Sequence, residues 1–254
     1  MYSIATLLSG IGIFFLGSIS ASFAGVVTER IGTGQSYLRG RSRCNACNRH
    51  LTALDLFPIL SFVFQKGRCR VCSARITARY VLSEVLLGFV FLLEYVFFGY
   101  TVLLPFIFLF SILLAIIVTY DLRHTIVPFY LSLVLVLIGA MCAYIQSDSQ
   151  AHLATTFMVS GAIALFFYVL HVASRGRWMG LGDTPIALAL SLVAGSQAVS
   201  GLLFSFWTGA VVGVYILVRT PASSRIGIEV PFVPFLAFGY FLALITQWNP
   251  LHLI

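Results

Sequence analysis

Long apolar stretches that contain almost no charged residues recur along the whole sequence, and they constrain the fold more than any other feature. A helix needs about 20 apolar residues to cross the hydrocarbon core of a bilayer. Eight runs reach or approach this length: 4–27, 81–98, 102–120, 127–145, 153–174, 184–194, 201–218 and 232–247. They predict an all-α polytopic membrane protein with about eight transmembrane helices. The sixth run is short, and continuation through 195–200 into the seventh would reduce the count.

The composition supports this fold class. Of the 254 residues, 60% are hydrophobic and only 9% are charged, whereas soluble domains have about 25% charged residues. This excludes an ordinary soluble enzyme, a disordered chain, a coiled coil and a disulfide-rich secreted module. The first run has no cationic start and is followed by Glu29 and Arg30, so we expect a retained span and not a cleaved leader.

The basic residues are confined to alternate gaps between the runs. Ten of the fifteen Lys and Arg residues fall between Arg30 and Arg79. The other five occupy three further gaps: Arg123, Arg175, Arg177, Arg219 and Arg225. Because basic loops collect on the cytoplasmic side, this predicts both termini outside and residues 28–80 inside. The net charge of +7 therefore indicates a lipid bilayer as partner, and no nucleic acid.

Four cysteines form two pairs inside the largest basic gap. Cys44 and Cys47 make one CxxC motif, and Cys69 and Cys72 make a second one after 21 intervening residues. Two such pairs can bring four thiolates into the tetrahedral arrangement that suits Zn²⁺. Because four thiolates leave no open position on the metal, we expect one structural zinc per chain. A redox pair and unliganded thiols are the alternatives, and disulfides are disfavoured on a reducing side.

Two acidic residues stand at span ends that the predicted topology places on the same side. Asp121 ends the third run, and Asp183 opens the sixth directly after a segment with Gly180 and Gly182. Two adjacent carboxylates share a proton. One can then act as base on a water molecule while the protonated one polarises a carbonyl. This predicts aspartyl peptide hydrolysis, with glycines that let a substrate backbone approach closely.

Simpler explanations exist for the same acids. Asp183 precedes Thr184 and Pro185, so its role could be merely structural, as the N-cap of a helix. Asp121 could simply form an ion pair with Arg123. Glu84 lies one turn inside the second run, where an acid is costly to bury. It either pairs with a loop arginine or lines a site.

The motifs together resemble the type IV prepilin leader peptidases, a family of membrane aspartyl proteases. The segment from Gly180 to Asp183 is similar to that family's GxGD motif. Asp121, with Val127 and Pro128 downstream, resembles its first catalytic aspartate. Further similar segments are 22–30, 43–47, 55–58, 67–72, 79–84 and 230–236.

The resemblance implies an enzyme of the bacterial inner membrane that removes the basic leader of prepilins or pseudopilins on the cytoplasmic face. Members with the cysteine domain commonly methylate the new N-terminus from S-adenosylmethionine as well, although this sequence shows no methyl-donor motif of its own. The implied organisation is a first transmembrane helix at 1–27, a cytoplasmic zinc-binding domain with the four cysteines at 28–80 and a membrane peptidase domain at 81–254.

The resemblance also assigns roles to single residues. Asp121 and Asp183 are then the catalytic pair. From their positions we expect Gly180 and Gly182 to lie beside the substrate, and Glu84 is the best candidate to meet basic residues of the leader, with an internal arginine partner as the alternative. Three positions depart from the family pattern: Asn45 replaces Pro, Phe129 replaces Asp, and Pro185 replaces Lys. The last two changes remove polar partners beside the pair and leave both carboxylates in place.

A non-enzymatic transporter, or a pilus or secretion assembly scaffold with a zinc docking loop, is the alternative function. Its intramembrane acids would bind ions or protons. Such a transporter is expected to show a repeat between its halves and polar residues near the middle of the membrane. The sequence shows no such repeat, and its acidic pair lies at one surface.

Overall fold

The computed structural model describes residues 4–37, 39–220 and 230–249, and within these ranges the chain is helical and has no β-strand. The α-helices are α1 (Ile4–Arg30), α2 (Leu60–Phe64), α3 (Ala78–Phe98), α4 (Leu104–His124), α5 (Phe129–Gln146), α6 (Gln150–Ser174), α7 (Asp183–Ala194), α8 (Ala198–Arg219) and α9 (Val233–Thr246). The predicted all-α fold is confirmed.

Eight of these helices coincide with the eight predicted runs, and α2 is an additional short helix in the loop between α1 and α3. Six helical stretches are long and apolar enough to cross a membrane among the described residues, and the last of them, Asp183–Arg219, contains both α7 and α8. A 3-10 turn begins between them at Gly195, where φ is +53°. The 12 residues of α7 extend only about 18 Å, so this helix is shorter than a full crossing. Arg225 and residues 250–254, which bear on the predicted topology, lie outside the described residues.

The chain forms two compact units, Met1–Ile116 and Ile117–Ile254. In the first unit, α1 and α3 pack closely and run in opposite directions. A Cβ added at Gly88 would lie 2.7 Å from the Ser18 Oγ, so this glycine permits the close approach. Tyr80 donates a hydrogen bond to Glu29 at one end of the pair. This contact fixes the register of the two helices.

In the second unit, α7 is the central helix. It packs against α5, α6 and α9, and nine of its twelve residues are buried. A Cβ at Gly139 of α5 would lie 2.9 Å from the Ala189 carbonyl oxygen, which shows how close α5 and α7 come. The buried hydroxyls of Ser191 and Tyr240 are 2.6 Å apart and join α7 to α9. The residue that begins α7, Asp183, is therefore carried on a firmly packed element.

Candidate active site and cysteine cluster

Asp121 lies in the last turn of α4 and is buried, with 4% of its surface exposed. Its carboxylate accepts a hydrogen bond from the backbone N–H of Val233, the first residue of α9. The N-terminus of a helix favours a negative charge. The other oxygen, Oδ2, has no hydrogen-bond partner among the described residues. One face of this carboxyl group is thus anchored, and the other can bind a further group.

Asp183 is the first residue of α7 and is also buried, at 7% exposure. Its Oδ2 accepts a hydrogen bond of 3.2 Å from the backbone N–H of Gly180. The N-cap position of α7 belongs to Gly182, where no side-chain cap hydrogen bond is made. The Asp183 side chain therefore turns back onto the glycine segment and does not cap its own helix.

In the second unit the two carboxyl groups are close enough for the charge of Asp121 to act on Asp183. The pairing follows from the helix order: α5 and α6 connect the end of α4 to the start of α7, so both acids lie at the same end of the unit. Two buried carboxyl groups in this arrangement disfavour simultaneous ionisation. This is the chemistry that aspartyl hydrolysis requires.

The loop before Asp183 is held by His171 near the end of α6. Its ring Nδ1 lies 3.0 Å from the Met179 carbonyl oxygen, so Nδ1 carries the proton and donates. The Met179 carbonyl and the Gly180 N–H belong to one peptide group, and that N–H in turn donates to Asp183. Both polar groups of this peptide, the carbonyl and the N–H, are therefore hydrogen-bonded to side chains. Sequence reasoning missed His171, because a single histidine at the end of an apolar helix carries no recognisable pattern.

The two glycines of the motif have different surroundings. A Cβ at Gly182 would lie 2.7 Å from the Val127 Cβ, whereas at Gly180 the nearest atom would be the Asp183 Oδ2 at 3.6 Å. Gly182 is therefore required for packing against the segment after α4. A Cβ at Gly180 would make only an ordinary van der Waals contact with the Asp183 carboxylate.

The four cysteines of the loop in the first unit converge as predicted. Their Sγ atoms all lie within 4.8 Å of one another, and those of Cys44 and Cys72 are 3.8 Å apart. Tetrahedral zinc with Zn–S distances of about 2.3 Å requires S···S distances of about 3.8 Å. The residues present therefore fit a zinc ion.

The two cysteine pairs have the same backbone fold. The N–H of Cys44 donates to the Arg49 carbonyl, and the N–H of Cys69 donates in the same way to the Ala74 carbonyl. Each turn passes through one residue with positive φ, 56° and 55°, at Asn48 and Ser73 respectively. This repeated geometry is typical of a pair of zinc knuckles and directs all four sulfurs to one point.

Asp55 joins the two knuckles and is a second residue whose role sequence reasoning did not identify. Its Oδ2 lies 3.0 Å from Arg49 in the first knuckle, and its Oδ1 lies 3.4 Å from Arg70 in the second. Burial raises the pKa of the Asp55 carboxyl, but hydrogen bonds from Thr52 and Arg49 outweigh this effect and lower the pKa to about 2. Backbone N–H groups of the second knuckle, together with Arg49, lower the pKa of the Cys69 thiol to about 6, which favours the thiolate that binds metal.

Glu84 is buried in α3, and it bonds to a backbone group and forms no ion pair with an arginine among the described residues. Its Oε2 accepts a hydrogen bond of 2.7 Å from the backbone N–H of Ile59, where a loop arginine was expected. A contact between Glu84 and a basic leader stays a prediction.

Comparison with known proteins identifies the class to which this fold and these sites belong. Residues 15–98 match the model of the bacterial peptidase A24 N-terminal domain, and residues 107–217 match that of the type IV leader peptidase family. The first match contains the four cysteines and the second contains Asp121 and Asp183. The chain belongs to the type IV leader peptidase family.

Several relatives carry the name prepilin leader peptidase/N-methyltransferase. The protein of Myxococcus xanthus is 32% identical over 82% of this chain, which spans 63% of that relative's length. Those of Bacillus subtilis and Aeromonas salmonicida are 28% and 31% identical, over 91% and 82% of this chain and 92% and 74% of their own lengths. No solved structure matches.

Proposed function

We propose that the chain is a membrane aspartic endopeptidase that removes the basic leader of type IV prepilins or pseudopilins at the cytoplasmic membrane face. The observation that carries this proposal is the buried pair of Asp121 and Asp183 at one end of the second unit. The family match and the names of the relatives support the same activity. The transporter or scaffold alternative is not favoured by any of these observations.

In the proposed mechanism, the unbonded Oδ2 of Asp121 binds the nucleophilic water and takes its proton. Asp183 in its protonated form donates a hydrogen bond to the scissile carbonyl oxygen, which increases the electrophilicity of the carbon. Attack of the water forms a tetrahedral intermediate, and the proton held by Asp121 passes to the leaving amine. The proton between the two acids is then restored, so no metal is needed for this step.

Two further parts of the proposal concern cofactors. The names of the relatives support methylation of the new N-terminus with S-adenosylmethionine, to which we assign no residues. Cys44, Cys47, Cys69 and Cys72 would hold a structural zinc. Four thiolates saturate the ion, so its chemistry is to stabilise the loop fold.

The orientation that we propose follows from the distribution of basic residues. The protein would lie in the inner membrane with both termini outside and the cysteine loop in the cytoplasm. A reporter inserted after Ser149 should therefore read as external, and one inserted at the exposed Gly40 should read as cytoplasmic. The same readout from both positions would contradict this orientation.

The decisive experiment incubates the purified protein in lipid with a synthetic prepilin and follows loss of the leader by mass. Asn at either Asp121 or Asp183 should reduce cleavage by several orders of magnitude, with no additional loss in the double variant, because the two residues act as one unit. The matched control is Asp148→Asn, which changes an exposed acid in the loop between α5 and α6 and should cleave normally. An Asp183→Asn protein that still cleaves at near the wild-type rate would end the proposal.

A further inference from the structure

Part of the loop between α1 and α3 folds back alongside these two helices. At that end of the pair, Tyr80 bonds to Glu29. Further along the helices, Glu84 accepts the hydrogen bond from the N–H of Ile59. The ring of Phe57 lies against that of Phe15, with centroids 6.2 Å apart. Because α1 rises about 1.5 Å per residue, Phe15 lies about 22 Å from the end of that helix at Arg30. The Phe57 ring therefore reaches the apolar middle of α1, and the Ile59 backbone lies beside a residue about 9 Å along α3 from its start at Ala78.

This segment presents apolar side chains that the described part of the chain leaves uncovered. Its exposed large residues are Leu54, Leu56, Phe57, Leu60, Val63 and Phe64, and Phe64 is 77% exposed. The short helix α2, which carries three of them, has no buried residue. Side chains of this kind are costly to leave in water, but they are normal on a surface that faces lipid.

The backbone of the turn is also adapted to an apolar surrounding. Ile59 has a φ of +61°, which is rare for a β-branched residue. Its N–H could not remain unpaired at membrane depth without a cost of several kcal/mol. The Glu84 carboxylate supplies the acceptor. This contact gives a physical reason for an acidic residue inside the apolar helix α3.

We infer that residues 54–64 form a re-entrant segment whose apolar side chains contact lipid acyl chains, with Glu84 holding the turn from α3. The lipid assignment follows from continuity, because Phe57 packs against Phe15 of α1, and Leu16 and Ile19 of the same helix are 48% and 51% exposed. The charge distribution agrees. Lys66 and Arg68, which are exposed, follow the segment closely and are placed to reach anionic headgroups.

The test places the photoreactive residue p-benzoylphenylalanine at position 64 in the otherwise intact protein. The protein is reconstituted in vesicles of phosphatidylethanolamine and phosphatidylglycerol, irradiated, and analysed by mass. We expect adducts with phospholipid. The control position is Tyr37, a 41% exposed aromatic residue in the preceding part of the loop, which should give at least tenfold less lipid adduct. Equal low yields at both positions would overturn the inference.

Two further arms identify the occupant and the role of Glu84. With a synthetic prepilin present, lipid adducts at position 64 should persist; their replacement by prepilin adducts would make this surface a substrate site and overturn the lipid assignment. Glu84→Gln keeps a side-chain carbonyl acceptor for the Ile59 N–H and should retain the lipid adducts. Glu84→Ala removes the acceptor and should reduce them several-fold. Equal yields from both Glu84 variants would overturn the role of Glu84 in holding the turn.

Discussion

Replacement of His171 tests whether the loop before Asp183 positions the catalytic pair. His171→Phe keeps an aromatic ring and removes the Nδ1–H that donates to the Met179 carbonyl. His171→Asn keeps a side-chain N–H close to the position of Nδ1. We do not expect the side chain at position 171 to contact the substrate. The two variants therefore change only the hydrogen bond that supports the Met179–Gly180 peptide, whose N–H bonds to Asp183.

The expected magnitude follows from the contacts. Met179 is 9% exposed, so loss of the donor leaves a buried carbonyl unpaired at a cost of about 1–3 kcal/mol. The loop can relieve this cost by rotating the peptide, which weakens the Gly180 N–H bond to Asp183. A displacement of about 1 Å in a catalytic group can cost about 100-fold in rate. We therefore expect kcat to fall about 10- to 100-fold in His171→Phe, with KM changed less than about twofold.

The assay measures leader removal by mass over a range of prepilin concentrations, with thermal unfolding as the control for folding. His171→Asn should recover most of the lost kcat, while both variants should unfold at similar temperatures. If Phe and Asn give the same rate, or if the loss falls on KM, the hydrogen bond to Met179 does not position Asp183. The proposed function is tested separately by Asp183→Asn, which should be inactive whatever the role of His171. Failure of the His171 prediction would therefore leave the proposed function intact.

Three further predictions concern single contacts in the two sites. Gly182→Ala should reduce cleavage or stability strongly because its Cβ would collide with Val127, whereas Gly180→Ala should fold normally, as judged by thermal unfolding. Elemental analysis should find about one zinc per chain, and Cys69→Ser should release it while the helices remain. The pKa of Asp55 in the folded loop, about 2, lies below its ordinary value, so the carboxylate stabilises the loop above about pH 4 and loses this effect as the pH falls toward 2. Proteolysis of the loop should therefore be faster in Asp55→Asn than in wild type at neutral pH, and the difference should vanish near pH 2.

The fold could be predicted well because its determinants are local in sequence. A run of about 20 apolar residues can satisfy its backbone in a bilayer only as a helix, so eight helices follow directly from eight runs. The bounds of α7 and α9 also lie within one residue of the predicted runs 184–194 and 232–247. What the sequence left open was whether the sixth and seventh runs form one helix, and the structure separates them by a 3-10 turn at Gly195–Gln197.

The sites were predictable to the extent that they depend on spacing. The CxxC pairs and the two acids are visible as patterns, and the structure brings each group together. The role of Asp55 and the partner of Glu84 were not predictable, because both depend on how the loop folds back on itself. Ile59 contacts Glu84 across the loop through a backbone N–H, and a backbone group leaves no trace in the sequence.

The two departures beside the catalytic pair have a common explanation in this structure. Phe129 and Pro185 remove side chains that could have bonded to the carboxylates, yet the hydrogen bonds that the carboxylates do receive come from backbone N–H groups, at Gly180 and Val233. Any substitution other than proline at these two positions leaves the donors in place. What can move them is a change in the loop or in the start of α9. The activity of this chain should therefore be more sensitive to groups that hold these two backbone segments than to the polar residues that line the pair, and His171 is the side chain through which this dependence can be measured.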